Sequence, residues 1–184
     1  YNLKICQPSL ALGSEIGWGF NTHKQGSLLR YSNFIEIGTC LLTKESVNNF
    51  MKLYSPELVS FGVDYVYMIA NGVKDFKENH KGFAVIDKVQ CINPPAKLKS
   101  KEKIKSKSIE DFQSTYKDYS KKYFTHDENP IDSPREIFKD EIYINRKEKF
   151  VKFAIDNKLE LWEPQVYYGI LENGELFNCS SLEE

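Results

Sequence analysis

The chain has 184 residues, 41% hydrophobic and 14% aromatic, and its 25 Lys plus Arg against 26 Asp plus Glu leave a net charge of -1. That composition supports a folded core, excludes wholesale disorder and excludes a globally basic nucleic-acid binder. No apolar run approaches the ~18 residues that cross a bilayer, and the opening Tyr1-Asn2-Leu3-Lys4 lacks the pattern of a secretory leader, so a cytoplasmic protein is expected.

Residues 3–12 are apolar and β-branched enough for a strand, with Pro8 expected to end its regular pairing. Gly13, Gly17, Gly19 and Gly26 then mark a loop carrying Trp18 and Phe20. Residues 32–42 read as a buried strand with Glu36 inside it. Thr43 is a good N-cap for a helix over 44–54, whose Val47, Phe50, Met51 and Tyr54 share one face. Gly62 precedes a second helix over 63–70, with Asp64 in its first turn and Asn71-Gly72 at its end. Residues 83–92 form a further strand, holding Asp87 and stopped by Asn93-Pro94-Pro95.

Beyond this point the charge changes. Residues 1–95 carry 9 basic and 8 acidic side chains, 97–122 carry 9 and 4, and 123–184 carry 7 and 14. Lysine at every second position from Lys97 to Lys107 reads as a solvated connector, because a strand would line six like charges along one face. Residues 109–124 are helical in pattern. Ser133-Pro134 opens a long helix to about Asn157, and Glu172-Asn173-Gly174 is the turn of a terminal hairpin. The pattern divides the chain into a folded part over 1–95, a connector over 96–108 and a helical part with a hairpin over 109–184.

Cys6, Cys40, Cys91 and Cys179 form no C-x-x-C pair and lie far from the three His, which disfavours a zinc site and points to reduced, buried thiols. Three carboxylates, Glu36, Asp64 and Asp87, fall in apolar surroundings, where each needs an ion pair, a cap or a chemical role. For Asp64 a helix-start carboxylate favoured by the helix dipole is a complete explanation on its own. Gln7 stands near the end of the first strand. Arg30 and Tyr31 precede the second, where a guanidinium suits a carboxylate or phosphate.

In order, Cys6-Gln7-Pro8, then Arg30-Tyr31-Ser32-Asn33-Phe34-Ile35-Glu36, then Phe61-Gly62-Val63-Asp64, then Val85-Ile86-Asp87 resembles a glycosyltransferase-like family of uncharacterised proteins, DUF family 707. The resemblance covers residues 3–95. It implies the second, acceptor-side half of a GT-A-type fold: α/β, a mixed sheet flanked by helices, here followed by a C-terminal helical appendage. It further implies a longer chain whose upstream half binds a nucleotide-sugar, with Mn or Mg as cofactor and a glycan as acceptor. In that reading Asp64 is the general base that deprotonates the acceptor hydroxyl, and Glu36 orients the acceptor or shares the task. Gln7, Trp18, Arg30 and Tyr31 line the acceptor site, and Asp87 lies on the strand beneath. Two positions depart from the family pattern. Asn93 stands where a metal-ligating His is expected, and an amide oxygen holds manganese more weakly than imidazole. Phe61 replaces Trp.

Two other readings fit the same residues. One is a metal-dependent phosphoesterase or nuclease built on Glu36, Asp64 and Asp87, although strand alternation turns Lys88 away from Asp87. The other is a non-catalytic interaction module. If the strands at 3–10 and 83–92 pair with an upstream half, their edges are expected to be open without it.

Overall fold

The computed structural model describes residues 2–58, 62–73, 81–94, 141–160, 162 and 164–179. Its strands are β1 (Ile5–Leu10), β2 (Ser27–Ser32), β3 (Leu41–Leu42), β4 (Phe83–Cys91), β5 (Val166–Leu171) and β6 (Leu176–Asn178). Its helices are α1 (Lys44–Leu53), α2 (Val63–Ala70) and α3 (Glu141–Asp156). The six strands form one sheet in the order β3-β1-β4-β2-β5-β6. Only β1 and β4 run parallel, and the remaining pairs are antiparallel. This is an α/β molecule with a mixed sheet.

Local chemistry sets several boundaries where the sequence places them. Thr43 caps α1 by accepting a hydrogen bond from Ser46 N at 3.1 Å, which satisfies one of the unpaired amides of the first turn. Gly62 starts α2 with φ +80°, and a Cβ there would lie 2.1 Å from the Phe150 ring. Glycine is therefore required twice over at that position, by backbone and by space. The β1–β4 register shifts between Pro8 and Ser9. Proline has no N–H to give the ladder, so pairing breaks there and resumes to Leu10 rather than ending.

The strand expected over 32–42 is not one strand. Pairing ends at Ser32, residues 33–40 are irregular with a 3-10 turn over Ile37–Thr39, and only Leu41–Leu42 pair again, on the far side of β1. Side chains divert the chain here. Ser32 Oγ accepts from Phe34 N at 3.0 Å, and Asn33 Oδ1 accepts from Gln165 N at 2.8 Å. Such side-chain bonds compete with the ladder. Phe34 and Ile35 are both buried, so two successive residues fill the core from a loop, whereas a strand would send them to opposite faces.

Alternation along the paired strands puts Ile5, Gln7, Phe83, Val85, Asp87 and Arg30 on one face of the sheet. The helices cover that face. Ile5, Phe83 and Val85 pack with Phe34, Ile35 and Met68. Behind α2, the side chains of Val63 and Val66 pack with Phe50 of α1 and Phe150 of α3. Leu29, Tyr31 and Ala84 form a cluster on the opposite face, with Ile86, Tyr168 and Ile170 packed against it.

The C-terminal hairpin belongs to the sheet. The hairpin turns at Gly174, φ +91°, as its sequence predicts, but β5 pairs with β2 and so extends the first sheet. The helix α3 spans Glu141–Asp156, and its Phe150 packs onto the start of α2. The Lys-rich connector, the helix expected over 109–124 and the start expected at Ser133-Pro134 lie outside the described residues.

Candidate functional site: a carboxylate pair beside a buried amide

The irregular segment after β2 carries Glu36 back across β1 towards α2. Two hydrogen bonds fix it. Glu36 N donates to Gln7 Oε1 at 2.7 Å, and Ile37 N donates to Asp64 Oδ1 at 2.6 Å. Gln7 comes from β1 and is buried, while Asp64 comes from the first turn of α2. Three elements distant in sequence therefore meet here, and Glu36, Asp64 and Gln7 converge as the sequence predicts.

The environment changes the chemistry of both acids. Burial, with the like charge of Asp64 behind it, raises Glu36 from 4.5 to about 7, and the nearby Asn21 amide offsets part of the rise. Burial likewise raises Asp64 from 3.8 to about 6, against the lowering effect of the Ile37 N–H and its own backbone N–H. Asp64 ionises first and Glu36 ionises against it, so the two titrate as a pair between about 6 and 7. Near neutral pH the site holds one ionised carboxylate and one that is close to half protonated. That is the state in which a carboxyl pair can both take and give a proton.

Gly17 and Asn21 complete the surroundings, and sequence reasoning missed both as site residues. A Cβ on Gly17 would lie 2.3 Å from Glu36 Oε1, so the carboxyl is seated directly against the glycine. Asn21 is fully buried and its amide bears on the Glu36 carboxyl, favouring the ionised form, yet neither Nδ2 nor Oδ1 reaches good hydrogen-bonding geometry with a partner. The available signal was the Gly17-Trp18-Gly19-Phe20-Asn21 run, which lets a chain approach closely and then presents an amide. Trp18 belongs to this loop. It is half-buried, its ring stacked with Phe20 at 6.3 Å and edge-on to Phe34 at 5.9 Å.

The other expected site residues lie elsewhere. Arg30, expected to line the acceptor site, is instead buried in the sheet. It is 5% exposed and clamps Asp87 with two bonds of 2.8 Å, while binding Phe20 O at 2.6 Å and Thr22 O at 2.7 Å. A buried guanidinium has to be paired and hydrogen-bonded, and this one braces the loop on either side of Asn21. Asp87 is its structural counterpart and also accepts from Lys24 N. Tyr31, one residue along, faces the other side of the sheet against Tyr168, with ring centroids 4.9 Å apart. Asn93 donates its amide to Glu15 O at 2.8 Å and its backbone N–H to Ser14 Oγ, which ties down residues 14–15.

Among the described residues, no group of three or more His, Cys, Asp or Glu side chains is placed to hold a metal ion. Asn93, the candidate ligand, turns its amide nitrogen to a backbone carbonyl. The four cysteines are unpaired and half-buried, and burial pushes each thiol above its ordinary value, which makes none of them a ready thiolate. No helix among the described residues is long and apolar enough to cross a membrane. No protein-family model, no curated protein and no solved structure matches the chain.

Proposed function

We propose that the Glu36–Asp64 pair is the acceptor-side acid–base site of a glycosyltransferase-like enzyme, moving a sugar from a nucleotide-sugar to an acceptor hydroxyl in the context of a longer chain. The observation that carries this reading is the convergence of Glu36 and Asp64, the two acids the family resemblance assigns to the acceptor. A sugar hydroxyl is a poor nucleophile until its proton is taken in the transition state. Asp64, ionised above about pH 6, takes that proton, its Oδ1 held in place by Ile37 N–H. Glu36, still largely protonated up to about pH 7, donates a hydrogen bond that orients the acceptor. Transfer then rises as pH passes about 6 and falls above about 7, as Glu36 loses its proton. The phosphoesterase alternative needs Asp87 beside the other two acids, and the clamp of Arg30 on both oxygens of Asp87 weighs against it.

The test is Asp64→Asn in the full-length protein, assayed against a panel of nucleotide-sugars. Asn keeps the shape but is not basic, so transfer should fall about 10²–10⁴-fold. Donor affinity should hold within a few-fold, because donor binding is assigned to the upstream half. Turnover equal to wild type would make Asp64 a helix-start carboxylate and end the catalytic reading.

A further inference from the structure

We propose that Asn21 is a ligand-binding residue, whose buried amide hydrogen-bonds a hydroxyl of a neutral, polyhydroxylated ligand that displaces the Glu36 carboxyl from its seat against Gly17. This deepens the reading of the carboxylate pair as an acceptor site and rests on it.

The starting point is an unmet need. Asn21 is 0% exposed; its amide bears on the Glu36 carboxyl, but neither of its polar atoms reaches good hydrogen-bonding geometry with any partner. A buried amide left unpaired costs stability, and most proteins avoid it. Here the chain cannot turn the amide out to water. Asn21 N donates to Trp18 O at 2.9 Å, and the carbonyls on either side, Phe20 O and Thr22 O, are both bound by Arg30. A buried Arg–Asp pair therefore fixes the backbone that presents an unsatisfied side chain next to Glu36. Groups held ready but unsatisfied are a mark of ligand sites.

The partner chemistry follows from the donors and acceptors present. An amide offers one oxygen and two N–H groups and has no charge. Beside it stand two carboxyls, one of them near half protonation at neutral pH. An anion would meet repulsion there, and a hard cation would find an amide N–H among its neighbours. A hydroxyl, which gives one hydrogen bond and accepts others, satisfies the mixed set. Trp18, three residues away in the same loop, is half-buried and stacked with Phe20. Glu36 is the half-exposed neighbour of the amide. Its contact with Gly17 is made by the far end of a flexible side chain, so it moves aside at low cost.

The test is Asn21→Leu, nearly the same shape without the amide, in the full chain. The probes are the methyl α- and β-glycosides of glucose and galactose, followed by saturation-transfer NMR and titration. Wild type should bind at least one of them, and Asn21→Leu should weaken that binding about tenfold or more. Asn21→Ala should lose the same binding. Removing an orphan amide should leave the melting temperature of Asn21→Leu unchanged or raised by a few degrees, on the order of 2–4 °C. A marked fall in melting temperature, or failure of that variant to fold, would show the amide already in use in the free protein and overturn the proposal. So would unchanged glycoside binding by Asn21→Leu, or no binding by wild type. Wild-type sugar transfer with an unchanged acceptor KM in Asn21→Leu sinks this inference and leaves the acid–base reading standing. Glycoside binding lost in the variant, with no transfer by wild type from any nucleotide-sugar, has the opposite meaning.

Discussion

Glu36 links the protein's stability to pH. In the folded state it releases its proton only near pH 7, whereas an unfolded chain releases it near the ordinary 4.5. Between those values the folded state binds the extra proton. Stability is therefore greatest below about 4.5 as far as this group goes, falls as pH rises through about 7, and stays at the lower level above. Asp64 acts with the same sign up to about pH 6. Allowing for partial exposure of the site, Glu36→Gln should gain about 1–3 kcal/mol at pH 8 and almost nothing at pH 4. Urea denaturation at the two pH values measures it. An undiminished pH slope in the variant would mean that Glu36 ionises normally. At this scale the sequence was half legible. Acids in apolar surroundings stand out, and Glu36, Asp64 and Gln7 do meet. Arg30 and Asp87 attract notice for the same reason, yet they neutralise each other in the interior, and spacing alone cannot separate a brace from a site. Asn21 carries no charge and breaks no periodicity, so only the glycine-spaced run before it pointed there.

At the scale of elements, the start of α2 is the point on which the site depends. Gly62 lets the chain turn with φ +80° and leaves room for Phe150, and Asp64 follows two residues later. Gly62→Ala should cost about 2–4 kcal/mol, part from the left-handed backbone and part from the ring contact. Pairing it with Phe150→Ala separates the two. In that background the same change should cost only about 1–2 kcal/mol, and thermal or chemical denaturation of the four proteins closes the cycle. An equal cost in both backgrounds would show that the ring contact contributes nothing. The helices at α1 and α2 and the hairpin turn were readable because a cap, a glycine and a turn are local signals. The segment over 33–40 was not. Its apolar residues serve the core, but its bonds are to Gln7, Asp64 and Gln165, all remote in sequence.

For the whole molecule, the sheet order places β1, β4, β2 and β5 inside, with β1 flanked by β4 and, at Ile5 and Cys6, by β3, and β4 flanked by β1 and β2. The outer strands are Leu41–Leu42 and Leu176–Asn178, two and three residues long, and short edges offer little template for unwanted pairing. The same order has a consequence in time. Ile5 pairs with Phe83, and Ser32 pairs with Val166, so most of the central ladder joins segments that are far apart along the chain. During synthesis β1 waits for β4, and β2 has one flank unpaired until β5 emerges. Loops must close before these contacts repay them, which places refolding on the order of milliseconds to seconds, slower than local helix formation. Stopped-flow fluorescence of Trp162, buried against the core and bonded through Nε1 to Asn33 O, reports the docking of the last segment, and a submillisecond signal there would contradict this order of assembly. The vulnerable moment in the life of this protein is thus the interval in which β2 is complete and its second neighbour is still absent.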